Sequence, residues 1–539
     1  MEKDVISLVT VEEMRRCERN TIETFHVPAI VLMERAALGV FEVIQEYWKK
    51  STGNVLIIAG AGNNGADGIA LGRLLKQAGF GVTFYAAGEK EKYSELMESQ
   101  ISIMRAYGWE ISTEFPETEY DIIIDALFGI GLSRDLEGIY MQLVEKINAC
   151  SALKISVDMP SGIHTDTGAV MGIAVKADIT VTFGYCKLGL VLYPGAEYAG
   201  KIIVKEIGIT REGFLGKLPK VFSLKGNAKE LLPERQKDGN KGTFGKVLVI
   251  AGSEEIIGAC LFSAEAAFRI GCGMVKILTH KSNKHVLALK LPEAMLQVYE
   301  TKKELKTQLK EGCQWADCIL IGPGCGVGTE TEEKLSFVIE KCKKPLVIDA
   351  DGLNQLAGNE DLLYALKKSA AEEERTVILT PHLGEFSKLT GTSVNKLKEN
   401  LLNEAEEYAE KTGCVVVCKD VRTIVAGNGH TTYLNLSGNC GMASAGSGDV
   451  LAGMITGLLA QVIKKAELLY AGKAAAFETA VTGVYLHGLA GDAAAGKSVE
   501  ENALSAIEST CPPKQTDGCK NEYTLLAGDL IRAFDFLFR

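Results

Sequence analysis

The stretch Gly60-Ala61-Gly62-Asn63-Asn64-Gly65-Ala66-Asp67-Gly68 follows an apolar run and opens a helical one. Its glycines fit GxGxxG, the turn that lets backbone amides approach a phosphate at a helix N-terminus. Two amides and a carboxylate make it more polar than a pyrophosphate turn needs. The acidic residue a dinucleotide fold wants at its second strand end is missing from Phe84-Tyr85-Ala86-Ala87-Gly88. Asp125 ends the run DIIIDA and Asp158 ends KISVD, the latter followed by Met159-Pro160-Ser161-Gly162. Carboxylates at the carboxyl ends of parallel strands face the crevice of an open α/β sheet. Asn64, Asp125 and Ser161 can therefore converge as hard oxygen donors for a non-transition cation. Either Asp could instead cap a helix or tie down a turn.

A second constellation lies in Asn439–Gly453, NCGMASAGSGDVLAG. Glycines before an apolar helix expose amides to an anion, and the helix dipole adds positive charge. Such a cradle suits a transferring phosphoryl group, with Asp449 placed to take the proton of an attacking hydroxyl. Other polar strand ends in this half are Gly322-Pro323-Gly324, Asp349 and Asp351, Thr380-Pro381-His382-Leu383-Gly384-Glu385, and Lys419.

The elements that must hold these residues are strands alternating with helices. Asn54–Gly60, Gly81–Ala86, Asp121–Ala126, Lys154–Asp158, Ile179–Phe183 and Lys201–Ile207 read as strands, with helices over Ala66–Ala78 and Ser94–Tyr107. Continuous apolar strands alternating with helices predict a parallel sheet covered on both faces. The polar, Pro- and Gly-containing stretch Phe214–Lys241 reads as a junction. A second series follows with Lys246–Ala251, Cys318–Ile321, Pro345–Asp349, Thr376–Thr380 and Cys414–Cys418, and a helix over Val450–Ile463. The expected fold is α/β, two three-layer α/β/α domains over residues 1–217 and 228–539. Ser498–Tyr523 reads as a surface excursion.

Composition sets the outer limits. The chain has 539 residues, 47% hydrophobic and 24% charged, with a net charge of −11. That is globular composition for two or more domains. The acidic balance disfavours nucleic acid, which needs a basic surface. Fourteen Cys without CxxC spacing, and seven His without HExxH, point to a reducing compartment rather than disulfides or zinc. The charged N-terminus lacks a signal peptide's apolar region, and no apolar run reaches the ~20 residues of a membrane span. A soluble cytoplasmic protein is expected.

Together the motifs resemble one family. GAGNNGADG, DALFGIGL, DMPSGIHTDTG and VTFGYCKLGL are similar to the NAD(P)H-hydrate epimerase domain, Rossmann-like in fold. KGTFGKVLVIAGS, IGPGCG, TPHLGEF and GMASAGSGDVLAG are similar to the NAD(P)H-hydrate dehydratase domain of the ribokinase-like superfamily. Their order in one chain resembles the bifunctional NAD(P)H-hydrate repair enzymes. The resemblance implies that the first domain interconverts the R and S epimers of hydrated NADH and NADPH, and that the second dehydrates the S epimer with ADP, giving AMP and phosphate. It implies K⁺ in the first domain, Mg²⁺ with ADP in the second, and homo-oligomeric assembly.

Residue by residue, the resemblance places Asn63, Asn64, Gly65, Ala66 and Asp67 on the hydrate, and Asn64, Asp125 and Ser161 on K⁺. Gly129, Ile130, Gly131, Leu132, Ser133, Arg134, Asp135, Tyr140 and Asp158 match further substrate contacts, with Asp158 the acid–base candidate. In the second domain Ala259, Gly324, His382 and Asp449 match substrate contacts, with Asp449 as base. Lys419, Asp420, Val421, Arg422, Thr423 and Gly448 match nucleotide positions. The departures are Ala66 for Gly, a mild change, Asn240 for His, Cys440 for Pro, and Asp420 for Gly, a change in the adenine-side loop; none removes a carried catalytic position. The competing reading is a ribokinase-like small-molecule kinase that keeps its phosphorylated product, fused to a non-catalytic nucleotide-binding module.

Overall fold

The computed structural model describes residues 5–112, 114–116, 118–371, 375–465, 472–497 and 522–537. Most of the expected Ser498–Tyr523 excursion lies outside them. One compact unit spans Ile6–Val221 and a second begins at Phe222.

The first unit is built on a six-stranded parallel sheet. Its order is Gly81–Ala86, Asn54–Ala59, Ile122–Ala126, Leu153–Val157, Ile179–Phe183, Lys201–Lys205. The order reverses between Asn54–Ala59 and Ile122–Ala126, the switch point where such sheets open a crevice. Ala29–Tyr47, Asn63–Gln77 and Glu95–Ala106 bury Val40, Ile69, Leu71 and Met97 against one face. Ile139–Ala149 buries Leu143, Val144 and Ile147 against the other. Val11–Glu23 precedes them, started by a Thr10–Glu13 capping box that satisfies two otherwise orphaned amides.

In the second unit seven parallel strands run Met295–Tyr299, Met274–His280, Lys246–Ile250, Cys318–Ile321, Leu346–Ile348, Val377–Leu379, Val415–Cys418. Ile424–Ala426 and Thr432–Leu434 extend the sheet antiparallel. Gly258–Arg269, Ser447–Lys465, Gly472–Ala494 and Ala527–Leu537 cover one face. Lys302–Trp315 lies against strands of the sheet as well. Both units are thus layered α/β, as the alternation predicts.

Three local readings change. Helix Asn63–Gln77 begins three residues before the expected Ala66, because the two Asn enter the first turn behind an extended Gly62 cap. Helix Ser447–Lys465 likewise begins before Val450, which puts Asp449 inside its first turn rather than before it. The junction Phe214–Lys241 carries a strand, Val221–Leu224, with three of four residues buried; four residues are too few to show a period. Among the described residues no helix is long and apolar enough to cross a membrane.

Candidate functional sites

In the first unit a cavity of about 1110 Å³ opens at the carboxyl edge of the sheet. Gly65 lets its helix close on the strand end: a Cβ there would lie 1.9 Å from the Gly60 carbonyl oxygen. Asn63, Asn64 and Asp67 line the cavity, with Gly129, Ile130, Gly131, Leu132, Arg134, Asp135, Tyr140 and Asp158. Gly65, Ala66 and Ser133 are not part of its wall. Gly65 and Ala66 are buried on the helix side facing the core, and Ser133 is exposed. Tyr140 packs edge-on against Phe128, ring centroids 4.9 Å apart.

Asp158 has φ +67°, a left-handed conformation that Asp tolerates better than most residues. Its Oδ1 accepts from Lys187 Nζ at 2.6 Å and from Thr182 Oγ1 at 3.1 Å. Asp67 and Glu18 share the cavity with it. Burial, then the Asp158 and Glu18 carboxylates, raise the Asp67 pKa well above the usual range. Burial, then Asp158, raise that of Glu18. The cavity therefore joins groups inclined to keep a proton to a carboxylate held by an ammonium. Proton-holding carboxyls beside an ion-paired carboxylate are the groups an acid–base step uses.

Asp125 and Ser161 are buried behind this wall. Asp125 accepts from Ser161 Oγ at 2.5 Å, Ser161 N at 2.9 Å and Ser156 Oγ at 2.8 Å. Burial raises its pKa against these hydrogen bonds. Among the described residues no cationic side chain pairs with it. Ser161 Oγ also accepts from the amide of Phe128 at 2.9 Å, and Asn64 keeps a buried side-chain nitrogen without a partner. Asp125 with no cationic side chain beside it, the Ser161 hydroxyl oxygen and the side-chain oxygen of Asn64 are the hard oxygen donors a monovalent cation needs, whereas the Asn64 nitrogen is a hydrogen-bond donor. The assigned K⁺ donors fit on that ground.

In the second unit the amides of Gly448 and Asp449 have no backbone acceptor among the described residues, at the positive end of helix Ser447–Lys465. Lys419 Nζ reaches the same turn; a Cβ on Gly448 would stand 3.1 Å from it. Lys419 is paired at 2.7 Å with buried Asp349, which also accepts from Thr380 Oγ1 at 2.8 Å. Asp449 carries a pKa raised to about 7, by burial first and then by Asp349, with Lys419 opposing. Glu385 is raised to about 7 by burial. Gly324, at φ +63°, approaches Ala259 so closely that a Cβ would lie 3.0 Å from that residue's methyl.

His382 has a structural role there. It caps helix Leu383–Thr390, its Nδ1 accepting from the amides of Gly384 and Glu385 at 2.9 and 3.3 Å. Its Nε2 lies 3.3 Å from Glu385 Oε1. Lys419–Thr423 turns between Val415–Cys418 and Ile424–Ala426. Within it Asp420 and Val421 are exposed and Arg422 donates to the Leu436 carbonyl at 3.3 Å. Among the described residues no three His, Cys, Asp or Glu side chains cluster as a metal cage. Mg²⁺ carried on nucleotide phosphates needs only one or two carboxylates, and the separate acids here fit that mode.

Sequence reasoning passes over Lys187, Glu18 and His487. A lone Lys inside the apolar run VTFGYCKLGL is the one signal for the first. Glu18 sits among charges on an amphipathic helix and gives none. His487 is buried, its Nε2 lying 3.0 Å from the Ser447 carbonyl oxygen, and burial lowers its pKa to about 4; it braces the Ser447 turn as a neutral donor.

A family model described as YjeF-related protein N-terminus matches residues 29–189, and one described as NAD(P)H-hydrate dehydratase matches 247–513. The bifunctional NAD(P)H-hydrate repair enzyme of Thermofilum pendens is 35% identical, over 96% of this chain and 98% of its own. That of Escherichia coli K12 is 32% identical, over 94% of each. A crystal structure of the ADP/ATP-dependent NAD(P)H-hydrate dehydratase from Bacillus subtilis, co-crystallised with ATP and Mg²⁺, is 28% identical, covers 58% of this chain and 95% of its own, and has a TM-score of 0.43.

Proposed function

The chain belongs to the family of bifunctional NAD(P)H-hydrate repair enzymes, and from that premise we propose that it restores hydrated NADH and NADPH by epimerisation in residues 1–217 and ADP-dependent dehydration in 228–539. The observation that carries the reading is chemical: each unit has a strand-edge site containing a Lys–Asp pair, one partner buried and the other half-buried, beside a second carboxyl. The cavity residues Asn63, Asn64, Gly129–Leu132, Arg134, Asp135 and Tyr140 hold the hydrate.

Epimerisation at C6 of the hydrated ring needs an acid and a base. Asp67 gives a proton to the C6 hydroxyl, the ring nitrogen's lone pair expels water, and an iminium forms. Water returns to the opposite face while Asp158 accepts its proton. One proton is given and one taken, and proton exchange with solvent returns Asp158 and Asp67 to their starting states, so nothing is consumed. K⁺ held by Asn64, Asp125 and Ser161 would supply a fixed positive charge next to this polar wall. Exchanging K⁺ for a large organic cation is expected to slow epimer exchange more than dehydration, measured by chromatography of the epimers; equal slowing of both would remove K⁺ from the first site.

Dehydration begins when Asp449 accepts the C6 hydroxyl proton as that oxygen attacks the terminal phosphorus of ADP. AMP leaves. The amides of Gly448 and Asp449, with Lys419, stabilise the charge on the transferring group. The ring nitrogen's electrons then expel phosphate, and loss of a C5 proton to water or the departing phosphate restores the dihydropyridine. Mg²⁺ would neutralise the nucleotide phosphates. Gly324 and Ala259 shape the floor beneath the ring, and Lys419–Thr423 turns around the nucleotide.

The base must be ionised to act. Its pKa is raised, so its active form predominates above about 7 and is lost as pH falls through that value. For dehydration kcat/KM is expected to fall about tenfold per pH unit below it; a profile flat from pH 5 to 8 would remove Asp449 as the base. The net charge of −11 supports an enzyme acting on small molecules rather than on nucleic acid. Exposed Phe25, Ile30, Val31 and Leu38 support homo-oligomeric assembly.

A further inference from the structure

We propose that Lys187 is a positioning residue for epimerisation, one that fixes Oδ1 of Asp158 and leaves Oδ2 to the substrate. This rests on the epimerase reading above. The Lys187 side chain is 1% exposed although its residue borders the cavity. Its ammonium has three protons and three acceptors: Asp158 Oδ1 at 2.6 Å, Thr182 Oγ1 at 2.9 Å and the Phe183 carbonyl at 2.9 Å. With every proton committed it has none for a ligand, so its action passes through Asp158.

Thr182 closes the arrangement. Its hydroxyl accepts from Lys187 and donates to Asp158 Oδ1 at 3.1 Å, giving a triangle of ammonium, hydroxyl and carboxylate. Both donors address Oδ1. Oδ2 is on the side of Gly129 and Asn64, where a Cβ on Gly129 would lie 3.3 Å from it, and Gly129 and Asn64 are cavity wall. The Asp158 amide donates to Val181 O at 2.7 Å, so backbone and side chain are fixed by the same strand, Ile179–Phe183. A carboxylate that must take a proton from water on one face of a ring needs one oxygen anchored and one open, and a small displacement of it forfeits much of the rate.

The test compares full-length wild type, Lys187→Met, Lys187→Ala, Thr182→Val and Thr182→Ser. Epimer exchange is measured from isolated R hydrate without nucleotide, and dehydration of S hydrate is the control on each preparation. Lys187→Met is expected to lower kcat for exchange about 100-fold, within the usual worth of a placed acid–base group, with KM and dehydration near wild type. Methylammonium is expected to restore part of the exchange in Lys187→Ala, and Thr182→Ser to retain what Thr182→Val loses. Unchanged kcat in Lys187→Met, a loss confined to KM, or failure of methylammonium to restore a folded Lys187→Ala overturns the proposal. If the Lys187 variants do not fold, Thr182→Val decides, and wild-type kcat in it overturns the proposal equally. Absence of exchange in the wild type would instead defeat the epimerase reading.

Discussion

Asp449→Asn is expected to lower dehydration of the S hydrate by roughly 10²–10⁴-fold, the usual worth of a positioned acid–base group, while epimer exchange continues at the wild-type rate. The amide keeps the shape of the carboxyl but cannot accept the hydroxyl proton. The cradle should survive, because the Gly448 amide and the Lys419–Asp349 pair at 2.7 Å do not depend on that proton. Nucleotide should therefore still bind, and the loss should appear in kcat. Asp449 is inside the first turn of Ser447–Lys465, where a carboxylate also favours the helix dipole by about 0.3–1 kcal/mol. That is too little to unfold the unit, so a dead but folded variant is the expected result. Rapid dehydration by Asp449→Asn would remove it as the base and leave Glu385, also raised to about 7, as the next carboxyl to test.

Asp158→Asn is expected to give the mirror image. Exchange of R and S hydrate should fall by roughly 10²–10⁴-fold, and dehydration of purified S hydrate should stay normal. This substitution also leaves the Lys187 ammonium buried without its counter-charge, and breaking a buried pair costs about 3–5 kcal/mol. A lower melting temperature confined to the first unit is part of the prediction. The reading separates the two consequences: S-hydrate dehydration on the same sample reports the second unit alone. If Asp158→Asn stops both reactions when S hydrate is supplied, the assignment of one activity to each unit is wrong.

How far the sequence could be read depends on what each element buries. Gly81–Ala86, Ile179–Phe183 and Cys318–Ile321 agree to the residue with the runs read as strands, because β-branched, aromatic and other apolar residues dominate them. Met274–His280 and Met295–Tyr299 stand outside that pattern. Lys276 and Gln297 interrupt them, and several of their residues are half-exposed near the sheet edge. The three-residue strands Ile424–Ala426 and Thr432–Leu434 are too short to show a period. Val11–Glu23 carried a readable signal, the spacing of Thr10 and Glu13, beneath a strongly charged surface.

The candidate sites divide in the same way. Asp125 lies at the end of an apolar strand and Asp158 and Asn64 follow such strands, and parallel strands deliver their carboxyl ends to one edge, so their meeting is implicit in the order of runs. Lys187 and Glu18 reach the cavity from elements whose sequence separation from Asp158 contains no periodic cue. Only folding brings the Lys187 ammonium to 2.6 Å from Asp158. The raised pKa values of Asp67 and Asp449 are likewise consequences of burial, which no local spacing encodes.

One time course tests the central claim, that a single chain epimerises and dehydrates. Purified protein is mixed with an R/S mixture of hydrated NADH, K⁺, Mg²⁺ and either ADP or ATP, and dihydronicotinamide absorbance is followed. Recovery of all the NADH with ADP, with AMP and phosphate released, is the predicted result. Recovery that halts at the S fraction, or a phosphorylated hydrate that accumulates without restored absorbance, would contradict it.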